Sequence, residues 1–349
     1  MRNADLRRPV PGLARYLTIR FLLIFPTVFA LVTAVFFLMR LTGDPVTNAL
    51  GDRLTPDQLR QRLHQAGYDR PLLVQYLEFL KGVATGDLGR TATDNRSIAD
   101  LLGSYGTATL ELAVYALVIA LIVGLPLGRL AAYYRDRAPD VVLRLFAILA
   151  YATPVFFVGL LLKLVFSVWL DWFPVAGRAS TGVQLQLAHR SSVTGIFLLD
   201  ALRSGDGAAV LDVLRHAVLP SVALGLLVAG IFLRLVRTNL IGTLSAGYVT
   251  AARSRGVPER RLRDRHATRP ALVPVITMLG LQVAGLLGGA VLTETTFEWK
   301  GLGFELAHYL TARDFVAVQA LVAVFAVVVA VTNFLVDAVA ALVDPRVRY

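Results

Sequence analysis

The chain has 349 residues, of which 56% are hydrophobic and only 17% are charged, and its formal net charge is +11. A soluble domain is usually about 45–50% apolar and roughly 25% charged, so this composition excludes an ordinary soluble protein and indicates several membrane spans. Cysteine is absent, which excludes disulfides, thiolate metal ligands and a cysteine nucleophile. We assign the surplus of arginine to cytoplasmic loops beside anionic lipid and not to nucleic-acid binding.

Six segments are apolar enough to cross a bilayer, which takes about 20 such residues. Only helices satisfy their own backbone hydrogen bonds in lipid within one segment, so each segment is predicted to be a helix. The first one lacks the small-residue cleavage site of a removable signal peptide and is interpreted as a retained span. Hydropathy places the spans at about residues 16–41, 108–132, 144–170, 216–238, 272–294 and 315–343.

The placement of arginine predicts how these spans are oriented. Six spans put the most arginine-rich segments on one side of the membrane, and positive residues favour cytoplasmic loops. Both termini are therefore expected in the cytoplasm. The predicted organisation is an N-terminal tail 1–15, a first span 16–41, an extracytoplasmic helical loop 42–107, a core of five spans 108–343 that includes the outer loop 171–215 and the cytoplasmic loop 241–271, and a C-terminal tail 344–349.

The loop 42–107 carries the pattern of two short helices. In "LTPDQLRQRLHQAG", Thr55 is placed to cap a helix that starts at Pro56, and Gly67 is placed to end it. The following "RPLLVQYLEFLKGVATGDLG" predicts a second amphipathic helix and a glycine-rich turn. We expect both helices to lie on the outer face of the membrane domain.

The sequence has no motif for energy conversion or covalent chemistry. It lacks the G-x-x-x-x-G-K-[ST] phosphate loop, the G-x-S-x-G turn of hydrolases, and any pair of histidines spaced H-x-x-x-H. The protein is therefore predicted not to be an enzyme and to hold neither a catalytic residue nor a metal. Uphill transport would need an ion gradient or an energy-converting partner.

Three polar residues in the spans are candidates for lining a transport pathway. Lys163, near the outer end of the third span, would extend its ammonium group towards the outer surface, line a wet cavity or serve proton coupling. Gln282 in the fifth span would face the pathway or bond a neighbouring helix. Glu294, at the end of that span, is the third candidate. The small number of ionisable residues in the spans argues against an ion-coupled transporter.

The segment "AARSRGVPERRLRDRHATRP" between the fourth and fifth spans contains seven arginines. Gly256 is suited to the positive φ that follows a helix, and Pro258 to the first turn of the next helix. Val249, Ala252 and Gly256 would share one smooth helical face, with arginines projecting elsewhere. Such a segment would either set membrane topology or transmit a movement of a cytoplasmic partner to the fourth and fifth spans.

The spacing A-A-x-x-x-G followed by a second basic helix closely resembles the cytoplasmic coupling motif of ABC importer permeases. The segment from "YVTAARSRGVPERRLRDRHATRP" to "TETTFEWKGLG" is similar to the signature region of the dipeptide and oligopeptide B-type subunit. Similar stretches in the same order are "LTGDP", "AGYDRPLLVQYLEFLKGVATGDLGRT", "TPVFFVGLLL", "FPVAGRAS", "LRLVRTNL" and "DPRVRY". The resemblance covers nearly the whole chain.

This resemblance implies an all-α permease with the six-span type I importer fold in a bacterial cell membrane. It implies a heterodimer with a second permease subunit, two ATP-binding subunits below it, and an extracytoplasmic substrate-binding protein above it. This chain would bind no cofactor, because ATP and Mg would be used by the partner ATPase subunits, and it would carry short peptides across the lipid bilayer. The implied coupling residues are Tyr248, Thr250, Ala251, Ala252, Arg253, Gly256, Pro258, Arg260, Arg261 and His266.

The chain departs from the family pattern at several positions. Pro270 stands where the family usually has asparagine, Lys300 where it usually has proline, and Thr250 where the general motif has glutamate. The outer loop is also longer than usual over residues 183–212. Nickel and glutathione importers have closely similar permeases, so the substrate stays open. An ion-coupled secondary transporter is the alternative outside this class.

Overall fold

The computed structural model describes residues 11–41, 43–51, 54–65, 67–189 and 194–343. Most of the two predicted tails, and a few residues of the outer loop, lie outside this part of the chain.

Within the described residues the chain is built from helices, as the composition predicted, and the nearest approach to a sheet is an isolated bridge between Arg90 and Ser97. Two π-helical turns extend the regular helices: Lys163–Trp169 continues α8, and Leu262–Ala267 leads into α14. In chain order the helices are α1 (Pro11–Leu22), α2 (Ile24–Leu41), α3 (Pro45–Leu50), α4 (Pro56–Gln65), α5 (Leu72–Thr85), α6 (Ile98–Tyr133), α7 (Ala138–Ala152), α8 (Val155–Leu162), α9 (Thr181–Ala188), α10 (Phe197–Ser204), α11 (Gly207–Leu244), α12 (Gly247–Ser254), α13 (Glu259–Arg261), α14 (Thr268–Phe297), α15 (Leu302–Thr311) and α16 (Phe315–Val343).

Five described helical segments are long and apolar enough to span a membrane, and a bent helix pair brings the number to six if the pair is one span. The two longest, α6 and α11, have 36 and 38 residues. At about 1.5 Å per residue they exceed the roughly 30 Å hydrocarbon thickness, so both continue well beyond the bilayer. Hydropathy located only their membrane portions, because polar residues at the ends remain helical.

The third predicted span, 144–170, is not one straight helix. It consists of α7 and the helix Val155–Trp169, which meet at an angle of 106°. Pro154 favours the break: it has no backbone N–H to donate, and it favours an extended conformation at the preceding Thr153, whose ψ is 130°. Hydropathy could not detect this bend, because both halves are apolar and no polar segment separates them.

The centre of the fold is the close contact between α6 and α11. Ala116, Ala120, Gly124 and Gly128 recur at four-residue spacing along the buried face of α6. A Cβ atom at Gly124 would lie 2.8 Å from the backbone oxygen of Ala229 on α11. Small residues therefore allow the two backbones to approach, as is usual where helices pack within a membrane.

Polar contacts define two opposite ends of the helix bundle. At one end, Nη2 of Arg129 near the end of α6 lies 3.2 Å from Oδ1 of Asp264 in the loop 241–271. At the other end, the backbone N–H of Thr93 in the loop 42–107 donates to Oδ2 of Asp314 before α16 at 2.8 Å. Segments predicted to share a side of the membrane thus meet in space. Following the arginine distribution, we call these the inner end and the outer end.

Candidate functional site

The candidate site is the segment from Gly247 to Ala267 at the inner end, which we call the coupling segment. It consists of α12, a tight turn, the short α13 and the π-helical turn that leads into α14. Because it connects α11 directly to α14, a displacement of this segment acts on both helices.

A Schellman motif closes α12 and sets the angle of the turn. The N–H of Val257 donates to the carbonyl of Ala252 at 3.2 Å, and the N–H of Gly256 donates to that of Arg253 at 3.0 Å. Gly256 has a φ of +78°, as its spacing predicted. Pro258 precedes the next helix as its N-cap, so the first helical residue is Glu259 and not the proline.

An ion pair bridges the turn. The guanidinium of Arg253 contacts both carboxylate oxygens of Glu259, the longer contact being 3.4 Å. This hydrogen bonding lowers the pKa of Glu259 below its usual value. Both side chains are about half exposed, so the pair orients the turn more than it stabilises the fold.

The predicted smooth face of Val249, Ala252 and Gly256 is exposed only in part. Val249 is fully buried, as is Leu262 after the turn, so this side of α12 packs against the rest of the protein. The sequence pattern indicated that these residues share a face but could not indicate which surface covers it. The predicted coupling residues that are exposed are Tyr248, Thr250, Ala251, Arg253, Gly256, Pro258, Arg260 and Arg261, whereas Ala252 and His266 are partly buried.

Asp264 anchors the base of the coupling segment to α6. It accepts a hydrogen bond from Tyr133 at 3.0 Å and one from Arg129 at 3.2 Å. The guanidinium of Arg263 lies 4.9 Å from the ring centre of the same tyrosine. The segment is therefore bonded to α6 as well as continuous with α11 and α14.

An apolar cluster completes this anchor. Its buried members are Ala132 of α6, Leu240 of α11, Ala267 of the π-helical turn and Ala271 of α14. Three of the four are alanines, so the three helices and the turn converge closely. A force on α12 can therefore reach three membrane helices through packed atoms.

The three candidate pathway residues have different surroundings. The ammonium of Lys163 donates to the backbone oxygen of Thr296 at 2.8 Å, where it complements the C-terminal end of α14. Gln282 is partly exposed on α14. Glu294 is fully buried: Thr109 donates to one of its carboxylate oxygens at 2.7 Å and the N–H of Phe304 to the other at 2.9 Å. Glu294 thus joins α6, α14 and α15 and does not line an open surface of this chain.

A second buried polar group, which sequence reasoning missed, joins the outer loop to α6. Arg178 donates to the carboxylate of Glu111 and, at 2.9 Å, to the backbone oxygen of Gly195. Its guanidinium also lies 3.8 Å from the ring centre of Phe197. Tyr115 donates to the same carboxylate at 2.6 Å. The sequence did carry one sign of this buried group: Glu111 is the only charged residue in the sequence over 101–128.

Two family models match this chain and together span most of it. Residues 124–349 match the model of the binding-protein-dependent transport system inner membrane component. Residues 13–109 match the model of the N-terminal part of the membrane component of such systems. The first match includes the whole coupling segment, and the second includes the outer helices α3–α5.

Curated relatives align over nearly their full length. The chain is 37% identical over 329 residues to the di/tripeptide transport system permease of Pseudomonas aeruginosa, covering 94% of this chain and 96% of the relative. It is 36% identical, with the same coverage, to the dipeptide transport system permease of Escherichia coli K12. It is 32% identical over 335 residues to a glutathione transport system permease of Escherichia coli, covering 96% of this chain and 99% of the relative.

Proposed function

The chain belongs to the family of binding-protein-dependent transport system inner membrane components, and from this premise we propose that it conducts short peptides, of two or three residues, into the cell. The main support for this proposal comes from the permeases named for dipeptides and tripeptides, which are 36–37% identical over 94% of the chain. The chain serves as the membrane-spanning subunit and performs no covalent chemistry.

The working transporter contains further subunits in this proposal. A second permease completes the pathway, two ATP-binding subunits dock at the inner end, and a substrate-binding protein delivers peptide at the outer end. ATP and Mg are bound by the ATPase subunits, and this chain contributes no cofactor. The dependence on a binding protein that defines the family supports the last of these partners.

The coupling segment transmits the nucleotide state of the ATPases to the spans. Closure of the ATPase pair displaces α12, whose exposed side carries Tyr248 and Ala251. The displacement passes through Asp264 to α6 and through the buried Ala267 to α11 and α14. The free energy of this coupling lies in the difference between inward-open and outward-open packing at the convergence of these helices.

Glutathione is the second candidate substrate. It is itself a tripeptide, and a permease named for glutathione is 32% identical over 96% of this chain. The higher identity of the dipeptide relatives favours ordinary short peptides.

The test is uptake by proteoliposomes that contain this chain, its second permease and its ATPases, supplied with the binding protein. We expect ATP-dependent accumulation of a labelled dipeptide that excess unlabelled tripeptide reduces and excess glutathione leaves unchanged. Accumulation of glutathione alone would replace the peptide assignment. Accumulation driven by an imposed ion gradient without ATP would overturn the mechanism.

A further inference from the structure

Helix α5 in the outer loop has an apolar surface that the described part of the chain leaves uncovered. Leu73 and Leu77 are 67% and 56% exposed. Leu80 is partly exposed and Ala84 is exposed. These four residues, which we call the α5 stripe, recur at the i, i+4, i+7, i+11 spacing of a single helical face.

The α5 stripe is distinct from the face by which α5 packs on the protein. That second face carries Tyr76 and Phe79, whose rings lie 5.2 Å and 5.6 Å from the ring of Phe36 on α2. A third face carries Glu78 and Lys81, both exposed. The helix therefore has one apolar face on the protein, a second apolar face without a partner, and a charged face.

The contacts of α5 place it at membrane depth. The hydroxyl of Tyr76 lies 2.6 Å from Oγ1 of Thr33 in α2. Thr33 precedes Leu41, the outer end of the first span, by eight residues, which is about 12 Å along the helix axis. That distance falls within the outer half of a hydrocarbon core of roughly 30 Å.

The α5 stripe also lies beside a surface that faces lipid. Phe37 on α2, whose ring centre lies 5.5 Å from that of Tyr76, is 44% exposed within a segment apolar enough to span the bilayer. An apolar helical face beside this surface, flanked by charges that can reach water, is the pattern of a helix that lies in the membrane interface.

We propose that α5 is an interfacial helix, whose stripe of Leu73, Leu77, Leu80 and Ala84 inserts among the acyl chains of the outer leaflet. Its charged face points to the headgroups and water. This insertion fixes the height of the outer loop, and of the loop residues that contact α16, relative to the bilayer. The partner of this surface is phospholipid and not another protein subunit.

This chain has no cysteine, so once the partner subunits are made cysteine-free a single introduced cysteine is the one site that a spin label can modify. Labels are placed on the stripe at Leu73→Cys and Leu77→Cys. The matched controls on the same helix are Val74→Cys, an exposed apolar residue off the stripe, and Lys81→Cys. Each full-length variant, in its assembled transporter, is reconstituted into vesicles of phosphatidylethanolamine and phosphatidylglycerol. Collision rates of the label with oxygen, which concentrates in lipid, and with a water-soluble nickel chelate are then measured.

We expect the ratio of oxygen to nickel collisions to be severalfold higher at positions 73 and 77 than at 74 and 81. Equal ratios at all four positions, with free access for nickel, would place α5 in water and overturn the proposal. Low collision rates with both reagents at 73 and 77 would show that a protein subunit covers the stripe, which would also overturn it. Uptake by the labelled transporters confirms that the variants are folded, so either result is interpretable.

Discussion

The long outer loop and the coupling segment are held in place in opposite ways. At the outer end the polar contacts that join the loops to α6 and α14 are buried: Glu294 is fully enclosed, and the side chains of Glu111 and Arg178 are 1% and 8% exposed. In the coupling segment the ion pairs are open to solvent, with the side chains of Arg253 and Glu259 44% and 56% exposed.

This difference separates the fixed outer loop from the more adjustable coupling segment. Breaking a buried ion pair leaves an uncompensated charge at low dielectric, whereas an exposed pair contributes little and exchanges partners readily with water. The outer loops are therefore fastened to α6 and α14. The coupling segment keeps its shape through its turn and its apolar anchor, and its surface charges stay free to meet a partner.

The largest effect is expected from Glu111→Leu at the outer end. The substitution leaves the guanidinium of Arg178 buried without its carboxylate, which costs about 3–5 kcal/mol. We expect a strongly lowered apparent melting temperature of the purified chain in detergent. The double variant Glu111→Leu, Arg178→Leu removes both charges and should recover part of the loss. If the single variant melts like the parent, the outer end is not held by this pair.

The next effect is expected from Thr109→Val, which keeps the shape of the side chain. The Thr109 hydroxyl donates to Glu294 and accepts from the N–H of Leu302, so its loss leaves this buried N–H unpaired and Glu294 with one donor fewer. We expect destabilisation of about 1–3 kcal/mol, measured by thermal unfolding in detergent. Thr295→Val is the control, because that exposed hydroxyl bonds only its own helix. Equal melting temperatures of the two variants would contradict the stabilising role assigned to the Thr109 hydroxyl.

Gly256→Val tests the role of the coupling segment. No side chain competes for the space of the new Cβ, so the cost is the positive φ itself, about 1–2 kcal/mol for a branched residue. We expect the variant to insert normally and to support ATP hydrolysis in the assembled transporter while uptake falls. Gly256→Asn should retain most of the uptake, because asparagine tolerates this conformation. Undiminished uptake by the valine variant would remove the coupling role.

The smallest effect is expected from Glu259→Gln. The pKa of Glu259 is lowered by its bond to Arg253, so any stabilisation exists above the ordinary carboxyl pKa and is lost as the pH falls through the lowered value. Both groups are open to solvent. We therefore expect the variant and the parent to melt alike at pH 7 and to show the same dependence on pH down to 4. A clear loss at pH 7 would show that the coupling segment also relies on its ion pairs.

Local patterns in the sequence predicted much of this arrangement. The helix start at Pro56, the positive φ of Gly256 and the apolar sixth span 315–343 follow from residue type and spacing, which act over a few residues. The pairing of Glu111 with Arg178 joins positions 67 residues apart, and nothing in either local sequence selects the partner. The burial of Val249 likewise depends on packing across a turn.

The bend at Pro154 shows a different limit. Proline is tolerated in membrane helices, and α6 and α11 each contain one without interruption. At Pro154 the chain leaves the helical conformation, whereas at those positions it does not, and the tertiary surroundings decide between the two outcomes.

The length of α11 has a mechanical consequence. A helix of 38 residues is roughly 57 Å long, and this one runs from the outer loops to the coupling segment. In the proposed function it would act as a lever: a tilt of about 5° around its midpoint would shift each tip by roughly 2.5 Å in opposite directions. Rotation of one stiff rod could thus relay a nucleotide signal to the peptide entrance without bending any helix.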